Sequence, residues 1–185
     1  MTSKPGGVIW FTGLSGAGKS TIADGVREQL TKDGLDVLTL DGDDVRRRFH
    51  RHLGFSEPEV KENNMLIAEI CAEQRGLYDV ILVPIISPYG ESRRDAREKL
   101  GPGFFEIFCN ADLDTVVGRD VKGLYAKAAG GEMDGMIGFS SGSVYEPPQS
   151  PDLELDTAHQ SPEDAVGTLY AFIRSRLEID GKDRP

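Results

Sequence analysis

Cysteine is scarce in this chain of 185 residues, which has only Cys71 and Cys109. Two thiols so far apart have neither the density of a disulfide scaffold nor the spacing of a zinc site, so both are expected as buried free thiols, Cys71 on a helix and Cys109 on a strand. Histidine is limited to three residues. His50 and His52 follow an arginine run with no third ligand close by, and His159 lies in a polar stretch, so no imidazole metal site is expected. No apolar run approaches the roughly 20 residues needed to cross a bilayer, and the first residues, Met1 to Gly7, lack the apolar stretch of a secretory signal. A cytoplasmic chain without a membrane partner is the expectation. Basic residues number 21 against 31 acidic ones, a formal net charge of −10. That balance excludes a broad phosphate-backbone footprint and, with it, a nucleic-acid partner. An acidic chain that binds a small anion has to gather its positive charge in one cleft.

What is present is a dense signal near the start. Gly13-Leu14-Ser15-Gly16-Ala17-Gly18-Lys19-Ser20 fills every fixed position of G-x-x-x-x-G-K-[ST]. The apolar run Val8-Ile9-Trp10-Phe11 precedes it, and a segment with helical spacing of apolar residues, Thr21 to Leu30, follows. Strand, loop and helix in that order suit a phosphate cradle. Glycines open backbone angles closed to other residues, consecutive N–H groups turn toward phosphate oxygens, and the helix start adds its positive dipole end. Gly13, Ser15, Gly16, Ala17, Gly18, Lys19, Ser20 and Thr21 are therefore expected to hold ATP, with Lys19 reaching the β- and γ-phosphates and Ser20 ligating Mg²⁺.

Further strands are expected at 36–40, 80–86, 104–109 and, more weakly, 153–155, with helices between them and a closing helix over 162–173 capped by Ser161. The alternation predicts an α/β fold, a three-layer P-loop sandwich of helices around a parallel sheet, in a single domain over 1–185. The ends, 1–6 and about 180–185, are expected to fray, and 129–151, rich in Gly, Ser and Pro, to form a lid and mobile loop. Trp10 is expected in the core.

Ligands of such sheets lie beyond the carboxyl ends of the strands. There the chain carries Asp41-Gly42-Asp43-Asp44-Val45-Arg46 and, after the third strand, Ser87-Pro88-Tyr89. Phosphoryl transfer needs a metal ion, cations around the moving group and a base for the attacking oxygen. Asp41 and Asp43 are the candidates for base and Mg²⁺ contact, with Asp43 favoured because it lies further past the strand; a polar turn capping the next helix is the plain alternative. Arg46 would clamp an anionic acceptor, while Arg47, Arg48 and Arg51 read as a solvated face. Arg119 and Lys122, three apart, would share a helix face toward the donor phosphates.

Taken together, five stretches resemble the adenylylsulfate (APS) kinases in order and spacing: Gly13 to Thr21, Asp41 to Arg46, Gly54-Phe55-Ser56, Ile86-Ser87-Pro88-Tyr89, and Arg119-Asp120-Val121-Lys122-Gly123-Leu124-Tyr125. The resemblance covers nearly the whole chain, including Tyr145-Glu146-Pro147-Pro148 and Leu155-Asp156-Thr157. It implies ATP-dependent phosphorylation of the 3′-hydroxyl of APS, with Mg²⁺, in a homodimer. It also implies that Phe55 stacks on the acceptor's adenine, that Arg46, Asn63, Ile86 and Lys127 contact the acceptor, and that Ser87 is either a phosphorylated intermediate or a hydroxyl contact. The donor half follows the family pattern, whereas Asp44, Val60, Met65, Gly90 and Met136 depart from it on the acceptor side, with Phe139 a substitute aromatic partner for Phe55. Two other readings remain at this point: a kinase of another nucleotide-linked acceptor, such as a cytidine diphosphate conjugate, and a nucleotide-binding module without catalysis.

Overall fold

A computed structural model of the chain describes residues 6–48, 53–120, 123–132, 135–140 and 143–177. The expectations placed on His50, Arg51, His52, Lys122 and the two extreme ends, 1–5 and 180–185, lie outside those residues. In chain order the elements are β1 (Gly7–Thr12), α1 (Lys19–Lys32), β2 (Val37–Thr39), α2 (Gly42–Arg48), α3 (Glu57–Gln74), β3 (Val80–Val83), α4 (Gly90–Leu100), β4 (Phe104–Asn110), α5 (Leu113–Arg119), α6 (Leu124–Ala129), β5 (Leu153–Asp156) and α7 (Pro162–Leu177).

Five strands form one parallel sheet in the order β2-β3-β1-β4-β5. Its central strand reads as an unbroken apolar run because it is buried on both faces, as parallel sheets require. The two-residue period then sorts the side chains: Ile9 and Phe11 join the core beneath α1 and α7, while Val8 and Trp10 join the core beneath α3 and α4. Val80 and Leu82 against Ile81 and Val83 divide in the same way on β3. At Gly25 on α1 an added Cβ would lie 2.6 Å from Val166 Cγ2 on α7, so the absent side chain sets how closely those two helices approach.

The expected strands are found with shifted ends. The strand expected at 80–86 stops at Val83 because Pro84 has no N–H to give to a ladder. The stretch after β2, read as a polar turn into a loop, begins a helix at Gly42. Ser161 caps α7 as expected, its Oγ accepting from the Asp164 N–H at 3.1 Å. Cys71 and Cys109 are both free and buried, and burial pushes each thiol up to about 12.

Candidate active site

The glycine loop is shaped by what surrounds it. Gly13 has φ 147°, and a Cβ there would lie 2.6 Å from the Cys109 carbonyl oxygen, so neither the angle nor the space admits a side chain. Its N–H donates to the Ile86 carbonyl at 3.3 Å, which ties the start of the loop to the end of β3. Gly18, with φ 89°, occupies the N-cap of α1 and offers no side-chain acceptor. The first turn of α1 holds no acidic residue either. No side chain of the cap or of the first turn offsets the helix's positive dipole end, a condition suited to an external anion. Lys19 is buried inside the loop, where its Nζ donates to the carbonyls of Gly13 at 2.8 Å and Leu14 at 2.7 Å.

A cleft of 480 Å³ opens from this loop. Ser15, Gly16, Gly18, Lys19, Ser20 and Thr21 form one wall, and Asp41, Arg46, Phe55, Asn63, Ile86 and Ser87 are on the other. Gly13 and Ala17 support the loop from behind, Ala17 being fully buried. Asp41 precedes α2 and partly caps it, its Oδ1 lying 3.4 Å from the Asp44 N–H, so the capping alternative is met without removing the residue from the cleft. The backbone of Asp43 lies in the first turn of α2.

Arg46 and Phe55 form a unit. The guanidinium donates to the carbonyls of Leu53, at 2.9 Å, and Gly54, and its carbon lies 4.5 Å from the centre of the Phe55 ring. Phe55 is 67% exposed, which is unusual for a side chain of that size unless its free face is to be covered. The same loop is anchored to α3 by Glu59, whose carboxylate accepts from the N–H groups of Gly54 at 2.9 Å and Ser56 at 3.2 Å. Hydrogen bonds from Ser56 and Gly54 hold that carboxyl below its ordinary value of 4.5.

Ser87 lies where β3 has ended, in a left-handed conformation with φ 43° that a serine rarely adopts. Its carbonyl is held by Arg93 Nη1 at 2.7 Å and Thr12 Oγ1 at 3.1 Å. Tyr145 completes the group, with its hydroxyl 2.9 Å from Thr12 Oγ1, and burial pushes that phenol up to about 12. Arg93 is only six residues on from Ser87, but Thr12 and Tyr145 come from far along the chain, so no local signal announced the group. Trp10 is in the core as expected, yet its indole N–H also reaches Ser87.

Three of the expected residues, Arg119, Lys127 and Phe139, are not among those lining the cleft. α5 ends at Arg119, and Asp120 follows with φ 23°. Arg119 instead donates to the carbonyls of Thr157 at 2.7 Å and Ala158 at 3.4 Å, beside β5. Lys127 is exposed on α6 and is not among the residues lining the cleft. Phe139 does not face Phe55; it packs edge-on against Tyr125 at 5.5 Å, and Met136 is the side chain that enters the cleft. Tyr125 itself ties α6 to the glycine loop by donating to the Ser15 carbonyl at 2.9 Å. A second, more open hollow of 350 Å³ is lined by Leu14, Gly138, Ser140, Ser143, Val144 and Tyr145, none of them charged.

A parallel sheet in this order, with a lysine-bearing glycine loop between β1 and α1, defines a P-loop nucleotide-binding kinase fold. The adenylylsulphate kinase family model matches residues 5–156. An adenylyl-sulfate kinase of Halothermothrix orenii is 43% identical over 184 residues, covering 97% of this chain and 96% of the relative. One from Geotalea daltonii is 42% identical over 94% of this chain and 85% of its own length. Among solved structures, the Mycobacterium tuberculosis APS kinase CysC in complex with AMPPNP and APS superposes with a TM-score of 0.85 at 36% identity, covering 92% of this chain and 98% of the other. The chain belongs to the adenylylsulphate kinase family. Among the described residues, no helix is long and apolar enough to cross a membrane.

Proposed function

We propose that this protein transfers the γ-phosphoryl group of ATP to the 3′-hydroxyl of APS, giving 3′-phosphoadenylylsulfate. The observation that carries this reading is one cleft lined both by the phosphate loop and by Arg46, Phe55, Asn63 and Ser87. A donor and an acceptor nucleotide placed there meet end to end.

In the transfer, the acceptor's 3′-oxygen forms a bond to the γ-phosphorus as the bond to the β-phosphate bridging oxygen breaks, and the 3′-proton leaves to a carboxylate. Asp41 and Asp43 are the carboxylates proposed for that proton and for the metal. Lys19 and the loop amides supply fixed positive charge where the negative charge of the transferring group spreads over its oxygens. Phe55 offers a flat face to the acceptor base, with Arg46 bracing its other side and presenting positive charge to an anionic group. The hard oxygen donors Ser20 and Asp41, on one cleft, suit Mg²⁺, which takes one or two protein oxygens together with phosphate oxygens. When bound, the ion would neutralise charge on the β- and γ-phosphates. Arg119 and Lys122 are proposed to hold the donor nucleotide, and Lys127 to meet the acceptor when it is bound. We extend the reading to a cytoplasmic homodimer on the strength of the family resemblance, with light scattering of the purified protein as its check.

A second acceptor is favoured by particular residues. Gly90 has no side chain to offer an anion, and its N–H is taken by Glu146 Oε2 at 2.6 Å, while Met136, a flexible side chain with no flat face, lines the cleft. A cytidine diphosphate conjugate is the alternative that these changes suit. Incubating the protein with ATP, Mg²⁺ and a panel of APS and cytidine diphosphate conjugates, with product mass as readout, separates the two. A mass gain of one phosphate on APS at the highest kcat/KM supports the first reading, and the same gain confined to the cytidine conjugate overturns it. ATP binding with no phosphorylated product would leave a binding module.

A further inference from the structure

The hydroxyl of Ser87 is surrounded by donors. Trp10 Nε1 donates to Ser87 Oγ at 3.0 Å and Asn64 Nδ2 at 3.1 Å. A serine hydroxyl has two lone pairs and one hydrogen, so these two bonds take up its whole accepting capacity. The amide orientation of Asn64 follows from its neighbour. Ser92 Oγ spends its own proton on the Tyr89 carbonyl at 3.0 Å, so the atom of Asn64 facing it at 3.1 Å has to be the donor nitrogen. An indole nitrogen can only donate. Among the described residues, no group accepts the Ser87 proton.

The residue is 2% exposed and lines the cleft, and its backbone is pinned in a left-handed conformation by Arg93 and Thr12. Strain of this kind persists only where surrounding contacts over-determine it. Asn64 is 3% exposed, so its amide is not a surface accident.

We propose that Asn64 and Trp10 are positioning residues: by filling both lone pairs of Ser87 Oγ they turn its one hydrogen into the cleft, making Ser87 a hydrogen-bond donor to an anionic oxygen of the bound acceptor and not a nucleophile. A nucleophilic serine has to present a lone pair to phosphorus and lose its proton to a base, and among the described residues this oxygen has both lone pairs engaged and no base as a hydrogen-bond partner. The γ-phosphoryl therefore passes directly to the acceptor oxygen, with a single P–O bond made and a single one broken. This inference rests on the kinase reading above.

The test uses the full chain with ATP, Mg²⁺ and APS. Absence of any transfer by the parent protein to any acceptor of the panel would be a failure of the kinase reading; everything that follows concerns a parent that turns over. Ser87→Ala is expected to raise the acceptor KM by about 10–100-fold, the loss of one hydrogen bond to a charged group, with little change in the KM for ATP. Asn64→Leu frees one lone pair and lets the hydroxyl swing, so it should raise the same KM by a smaller factor. The double variant should be no worse than Ser87→Ala alone, because Asn64 acts through that hydroxyl. Additive losses, or a fall in kcat with the acceptor KM unmoved, would overturn the proposal. Asn64→Ser, which shortens the side chain and keeps it polar, serves the same comparison if the leucine variant does not fold. Independently of any variant, acid-quenched parent enzyme in mid-turnover should show no phosphate on the peptide containing Ser87; a phosphoserine there that forms and decays at the turnover rate would also overturn it.

Discussion

Replacing Arg93 by methionine removes a charge from the best-enclosed ion pair among the described residues. The Arg93 side chain is 4% exposed, and Nε lies 2.6 Å from Glu106 Oε1, a close ionic approach without the angle of an aligned hydrogen bond. Its other nitrogens donate at 2.7 Å to the carbonyls of Ser87 and Glu146. Methionine keeps most of the volume and loses all three contacts. Glu106 retains only Arg97 at 3.6 Å, and that guanidinium is engaged more closely with Asp152 at 2.6 Å. Stranding one partner of a buried pair costs about 3–5 kcal/mol. A chain of this size loses roughly 2–4 °C of melting temperature per kcal/mol, so Arg93→Met should melt about 6–20 °C below the parent. Differential scanning calorimetry at pH 7 and fixed protein concentration reads this directly. Adding Glu106→Met should recover most of the loss, because no charge is then left unpaired. A single variant melting within about 2 °C of the parent, or a double variant worse than the single, would refute the reasoning.

Phe55→Ala should raise the acceptor KM by about 5–150-fold, the worth of one base–aromatic stack, and leave the KM for ATP alone; steady-state kinetics with each substrate varied checks this, and an unmoved acceptor KM contradicts it. Since burial pushes both thiols up to about 12, iodoacetamide at pH 8 should leave Cys71 and Cys109 unmodified in the folded protein and alkylate both in urea, as mass spectrometry would show. Glu59 has its carboxyl held below 4.5, so the stability it adds is present above that pH and lost as pH falls through the lower folded value. Glu59→Gln should therefore melt below the parent at pH 7, with the gap closing below about pH 4 in a melting series.

Much of this was legible because it is local or periodic. The glycine loop is contiguous, and β1 and β3 are runs buried on both faces, so their position needed only a pattern. Their ends did not follow from apolar content: Pro84 stops β3 before Ile85 and Ile86, which are as apolar as the residues before it. The start of α2 at Gly42 was hard to place because Asp41-Gly42-Asp43-Asp44 has the composition of a turn, and Val45 ties the helix to the core. The end of α5 was not legible from spacing, because Asp120 turns the backbone out of the helix directly after Arg119. The cluster about Ser87 was invisible to any window apart from Arg93, since Thr12, Asn64 and Tyr145 meet there only through tertiary structure.

The account's central claim is that one ammonium group, held inside a ring of main-chain amides, stabilises a phosphoryl group as it moves. The transfer rate of Lys19→Ala against the parent, with product mass and ADP release followed in the same reaction at saturating ATP and APS, measures it most directly. A fall of about 10²–10³ in kcat, with a melting temperature near the parent's, is what the account predicts. A variant that phosphorylates APS at the parental rate would contradict it.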